Sequence, residues 1–296
     1  MITSRDIVWK VAGQEVRLGL DEAGEGAPVL LLPALSSIST RQEMHGLIGE
    51  LAPYFHVVTI DWPGFGDKPR QRLDLNPDLL SDFLEFVLRE LVVNPFAIIA
   101  AGHAATYVLH YLAGHPGEVS RLVSIAPTWR GPFPTMTGAY KGWFEILRRA
   151  VDMPALGDLL YALNLSGPVV DRMVSRHVYS DPGWLKDDAL TAKLAVTRAP
   201  GARHGSVRFV TGALDRVQSR KGFLELARAA AIPHLVVYGE ETPRKSKAEM
   251  EALTRLPDVE AVPFRKGKLS LHEEFVFKVG QAILMFLLPY RPKTGQ

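Results

Sequence analysis

The chain of 296 residues contains no cysteine. Disulfides, thiolate metal sites and a thiol nucleophile are thereby excluded. It has no run of about 18 apolar residues, so no transmembrane helix is expected. An excess of one charge is missing too: 34 Lys and Arg stand against 32 Asp and Glu, a net charge of +2. With no block of like charge, nothing marks a nucleic-acid or anionic-membrane surface. The short basic stretch "TPRKSK" at 242–247 reads as a solvated helix start. No glycine-rich phosphate loop follows the first strand and no metal-ligand cluster is visible, so no nucleotide, other cofactor or metal is expected. The N-terminal "MITSRDIVWKVAGQEV" lacks the apolar segment of a secretory signal, and a cytoplasmic protein is expected by default.

What is present is ordinary globular composition, 47% hydrophobic and 22% charged. The length suits one large α/β domain or a domain with an insertion. "DIVWKVAGQEVRLGLDEAG" reads as two strands around an "AGQ" turn. "APVLLLPAL" is an apolar run of the kind buried on both faces of a sheet. "SSISTRQEMHGLIGELAP" opens a helix, with capping-box spacing from Ser39 to Gln42 and from Thr40 to Glu43. Strand and helix then alternate through "FHVVTIDWPGFGDKP", "NPDLLSDFLEFVLRELVV", "FAIIAAG", "HAATYVLHYLAGHPG" and "VSRLVSIAPTWRGP". Alternation stops near residue 130, and 131–230 reads as mostly helical. It resumes at "IPHLVVYGE" and continues to the end. These segments predict an α/β fold: a mostly parallel, twisted sheet of about eight strands with helices on both faces. Residues 1–130 and 231–296 form the core, and 131–230 form a helical cap insertion with its return to the core.

Positions 98–108 read "IIAAGHAATYV", the grammar of a strand turning sharply into a helix. Such a turn lifts a nucleophile clear of the sheet and needs small neighbours where strand and helix approach. With "DWPGFG" at 61–66 and "HEEF" at 272–275, this order resembles the α/β-hydrolase superfamily with a cap after the sixth strand. The resemblance covers nearly the whole chain. It implies the nucleophile position at Ala104, which is inert, and the histidine at His272, a candidate base. It places the acid at Thr242, also inert, with Glu241 or Glu240 as a substitute reaching inward. It also implies oxyanion-hole N–H groups at Leu35 and Ala105.

Several further residues are pocket candidates with competing structural roles. Ser36, beside Ser37, follows the third strand, where capping a helix start is the competing role. His103 adjoins the turn, where a hydrogen-bonded structural histidine is the alternative. Trp62 and Trp129 follow the carboxyl ends of strands, where open α/β sheets bind ligands, or else they form the seam under the cap. Arg130 faces a ligand anion or bridges to the cap. A helical lid over such a sheet encloses a mostly apolar cavity, so the expected partner is a small apolar or amphipathic organic molecule. Three functions stay open. One is a protein with a degenerate triad and either His272-assisted, non-hydrolytic chemistry or none. The second is an ordinary esterase-like hydrolase carrying an engineered Ser-to-Ala change at 104. The third is a non-catalytic ligand- or partner-binding module.

Overall fold

A computed structural model of the chain describes residues 1–164, 175–181, 183–184 and 187–292. Its eight strands are β1 (Thr3–Val11), β2 (Gln14–Ala23), β3 (Pro28–Leu32), β4 (His56–Ile60), β5 (Ala97–Ala101), β6 (Arg121–Ile125), β7 (His234–Gly239) and β8 (Val259–Phe264). They form one sheet in the order β1-β2-β4-β3-β5-β6-β7-β8. β1 pairs antiparallel with β2, and β2 antiparallel with β4. From β4 to β8 every pairing is parallel. The expected sheet of about eight strands is therefore observed.

Local chemistry explains the layout. Ala12 and Gly13 both have positive φ, 49° and 75°, the backbone that a tight two-residue hairpin needs between β1 and β2. β5 reads AIIAA and is buried along its whole length, as a central parallel strand with both faces covered must be. Asn76 caps the helix Pro77–Phe86 by accepting the N–H groups of Asp78 and Leu79, both at 3.0 Å. The helix Ala104–Gly114 follows β5, and the helix Arg220–Ala230 packs along it. That second helix leads into β7, and its Phe223 is fully buried.

Between β6 and that return lie the helices Pro132–Thr137, Trp143–Asp152, Leu156–Asn164, Asp187–Thr197 and Ala202–Val210. Segments between these helices contact the loops that leave the carboxyl ends of β4 and β8. The Arg70 N–H donates to Pro200 O at 2.9 Å, and the Ser270 N–H to Val178 O at 3.1 Å. The Gly267 N–H donates to Ser180 Oγ at 2.8 Å. Among the described residues no helix is long and apolar enough to cross a membrane.

Candidate active site

The strand-to-helix turn has its strained residue at Gly102, with φ +52°. His103 is already in the right-handed helical region, with φ −71° and ψ −23°, and Ala104 is the first residue of the following helix. The apex of the turn is therefore Gly102, two residues before Ala104, the position expected from the sequence. The small-x-apex-x-small pattern is Ala100-Ala101-Gly102-His103-Ala104, and Ala104 is its buried closing residue. Thr106 lies deeper in the helix and donates to Thr128 O at 3.0 Å. The backbone donor one residue after the apex is that of His103, not Ala105. With it stands the N–H of Leu35 after β3. Neither of these N–H groups is hydrogen-bonded among the described residues.

A side chain at Gly102 would enter a tight space. An added Cβ would lie 3.2 Å from the Ala34 methyl, with Thr128 Oγ1 at 4.0 Å. Ala34 in turn leads to the histidine. Its N–H donates to Glu43 Oε1 at 2.7 Å, and that oxygen lies 3.6 Å from His272 Nε2. The carboxylate facing His272 is thus Glu43, from the turn after β3, and not a residue after β7. Glu240 and Glu241 are exposed, and Glu240 pairs with Lys247 at 2.9 Å. Thr242 is buried with its Oγ1 unpartnered.

Glu43 was legible only as a capping-box residue. Thr40 does cap, accepting the Gln42 N–H, but Glu43 turns away to Ala34 and His272. Burial opposes the charged form of Glu43, yet His272, Lys193 and the Ala34 N–H outweigh it and hold its carboxyl below the ordinary range. Both ring nitrogens of His272 and Oε2 of Glu43 lack hydrogen-bond partners. Residues between β6 and β7 reach Glu273, the neighbour of His272. Lys193 Nζ lies 2.9 Å from Glu273 Oε2, and the Tyr179 hydroxyl donates to Glu273 Oε1 at 2.6 Å.

The other candidates are structural in their contacts. Trp62 is 1% exposed, donates to Pro33 O at 3.0 Å and packs on Phe83 and Tyr107, so it belongs to the core. Trp129 donates to Glu249 Oε2 at 3.0 Å and stacks on Phe223. Arg130 lies over the Trp129 ring and donates to Gly138 O at 3.1 Å. Ser36 Oγ accepts the Ile38 N–H at 3.4 Å. His103 Nε2 contacts Leu214 O at 3.2 Å and Asp215 Oδ1 at 3.4 Å. Burial keeps His103 neutral, with its pKa lowered to about 4.

Ligand atoms of Glu43, His272 and Glu273 lie within 4.8 Å of one another, a geometry a metal can use. The Lys193 ammonium already neutralises Glu273 there, so the donor set fits a protein cation better than a metal ion. One surface cleft is lined by Asn76, Asp78, Asp215 and Arg216, and another by Pro28, Phe96 and Pro116 at the amino ends of the strands. Neither cleft includes Gly102, Glu43 or His272.

Residues 29–278 match the model of the Alpha/beta hydrolase family, and the chain belongs to that family. No curated protein matches it by sequence. Among solved structures it is similar to a thermophilic esterase from Thermogutta terrifontis, with 18% identity and a TM-score of 0.72 over 98% of this chain and 100% of that one. It is similar to a bromoperoxidase from Bacillus anthracis, with 16% identity and a TM-score of 0.70 over 96% and 100%. It is also similar to the Cif epoxide hydrolase from Acinetobacter nosocomialis, with 16% identity and a TM-score of 0.70 over 97% and 89%. At these identities the likeness is one of fold.

Proposed function

We propose that this chain binds a small apolar or amphipathic organic ligand beneath its inserted helices and performs no serine-type ester hydrolysis. Glu43 and His272 are the acid–base pair available for any proton it moves. The observation that carries this reading is glycine at the apex of the turn, where hydrolysis needs a side-chain nucleophile. Loss of triad members costs on the order of 10⁶ in kcat in a serine hydrolase. Ser36, which follows the third strand, is engaged with the backbone of its own turn. Two unbonded N–H groups, of Leu35 and His103, offer donors to a ligand oxygen without needing a nucleophile.

A second reading, a binder with no chemistry, is favoured by the enclosure of the pair. His272 is 1% exposed, and Lys193 and Tyr179 fasten the inserted helices over it.

The test has two arms. A fluorophosphonate probe is expected to leave the wild-type chain unlabelled. Gly102→Ser is expected to lower stability by about 1–3 kcal/mol, because serine must adopt positive φ, and to leave turnover of p-nitrophenyl esters at background. Probe labelling of wild type, mapped by mass spectrometry, or strong turnover by Gly102→Ser overturns the proposal.

A further inference from the structure

Two arginines in the described chain are more than nine-tenths buried, and they are treated very differently. Arg41, 6% exposed, faces three carboxylates: Asp21 at 3.0 Å, Asp61 at 2.5 Å and Asp67 at 2.8 Å. Those neighbours hold its guanidinium above the ordinary range against the effect of burial. Arg70, 7% exposed, has no carboxylate within ion-pair distance among the described residues. Its Nη2 donates to Gly66 O at 2.6 Å and Val196 O at 2.9 Å, and its Nε donates to Gly66 O at 3.2 Å. Nη1 is buried and has no partner. Burial dominates the Arg70 environment and disfavours its charge.

A buried guanidinium with no carboxylate in contact is costly, and Asp61 and Asp67 favour its charge only from beyond ion-pair distance; it stays charged because its intrinsic basicity is so high. Carbonyl oxygens satisfy hydrogens but supply no full negative charge. The surroundings favour a ligand. Arg70 lies midway along the loop between β4 and the helix Pro77–Phe86, and it bonds to Val196 in the helix Asp187–Thr197 and to Pro200 beyond it. Tyr161, whose hydroxyl pairs with Ser206 Oγ at 2.9 Å, lies within the electrostatic reach of Arg70. The same Tyr161 belongs to an apolar cluster with Ile38, Trp184, Leu190 and Leu194. A cation with no carboxylate in contact thus stands next to hydroxyl donors and an apolar wall.

We infer that Arg70 is the anchor for the anionic head of the ligand, and that the ligand is a small carboxylate with an apolar body. This rests on the ligand-binding part of the proposed function. The carboxylate accepts from Arg70 Nη1 and from a hydroxyl of the Tyr161–Ser206 pair, while the body lies against the Ile38 cluster. Arg41 is no alternative anchor, because its charge is already overmatched.

The test uses octanoate, octan-1-ol and octylamine as probes of equal chain length, titrated calorimetrically against the full chain. Wild type is expected to bind octanoate at least tenfold more tightly than octan-1-ol, and octylamine least. Arg70→Met is expected to erase the preference for octanoate while leaving octan-1-ol unchanged. Arg70→Lys keeps the charge without the fork and is expected to retain part of the preference; circular dichroism checks that both variants fold. Equal binding of octanoate and octan-1-ol by wild type overturns the Arg70 assignment and leaves the ligand-binding reading standing. A preference that survives in Arg70→Met or is fully kept in a folded panel of both variants also overturns it. Binding of none of the three probes removes the ligand reading and this inference together. If Arg70→Met fails to fold, the wild-type comparison and Arg70→Lys decide.

Discussion

Glu43 and His272 are brought together by one carboxylate oxygen: Glu43 Oε1 lies 3.6 Å from His272 Nε2 while it accepts the Ala34 N–H at 2.7 Å. The loop after β3 and the last helices of the chain are thereby joined inside the protein. Glu43 is a buried carboxylate held charged by His272, Lys193 and the Ala34 N–H, and neutralising it leaves those partners uncompensated. Glu43→Gln keeps an oxygen for Ala34 but loses the charge, and it is expected to cost about 2–4 kcal/mol at pH 7. The folded carboxyl lies below its ordinary value of 4.5, so its contribution is full above about pH 4.5 and fades as pH falls through and below it. Denaturant midpoints across pH 3–8 check this. The gap between wild type and variant is expected to be widest at neutral pH and to narrow in acid; a gap that is constant with pH rejects the ion-pair account.

Thr242 gives the opposite case. It is 4% exposed and its hydroxyl has no partner. A buried unpartnered hydroxyl carries a desolvation cost of about 1–3 kcal/mol. Thr242→Val has nearly the same shape, and it is expected to be neutral or to raise stability by up to about 1 kcal/mol. A loss of more than that on thermal melting would show that the hydroxyl has a partner, such as an ordered water.

Asp215 predicts a pH response of the other sign. Burial, opposed by the Gly131 N–H at 2.8 Å, raises its pKa from 3.8 to about 8. The fold therefore holds a proton that the unfolded chain releases above about pH 4. Stability from this group is complete below that pH and is lost as pH rises toward 8. Asp215→Asn removes the ionisation and keeps an acceptor for Gly131. It is expected to match wild type near pH 4 and to exceed it by about 2–4 kcal/mol at pH 8. Urea melts at the two pH values measure the difference; no gain at pH 8 would mean that Asp215 is ionised in the folded protein.

Strands and helices were legible because their signals are local and periodic. "AIIAA" and "PVLLL" are apolar throughout and became the central strands β5 and β3. The "AGQ" turn needed two residues of positive φ, and Ala12 and Gly13 supply them. The site was harder to read, for two physical reasons. Glycine can be either the small residue flanking a strained turn or the strained residue itself, and the letters "GHAAT" do not distinguish them; φ at Gly102 does. Glu43 was hidden because an acid three residues after Thr40 is fully accounted for as a helix cap. Its pairing with His272 spans more than two hundred residues of sequence, and no local pattern encodes that. Trp62 sat in a strand-end loop of the right kind for a pocket, but its indole N–H reaches Pro33 O and its ring turns into the core.

Glycine at the apex also bears on what this sequence can become. Every other residue at 102 must accept positive φ at about 1–3 kcal/mol, and its Cβ must fit 3.2 Å from the Ala34 methyl. A first-step mutation there carries that loss at once, while Glu43 already stands beside His272. For a protein only marginally stable, a substitution that introduces a side chain there lowers stability before it can add any chemistry. Glycine at 102 thus makes the turn the stiffest point of the site to alter, and engineered chemistry on this scaffold is more accessible through Glu43 and His272 than through the turn itself.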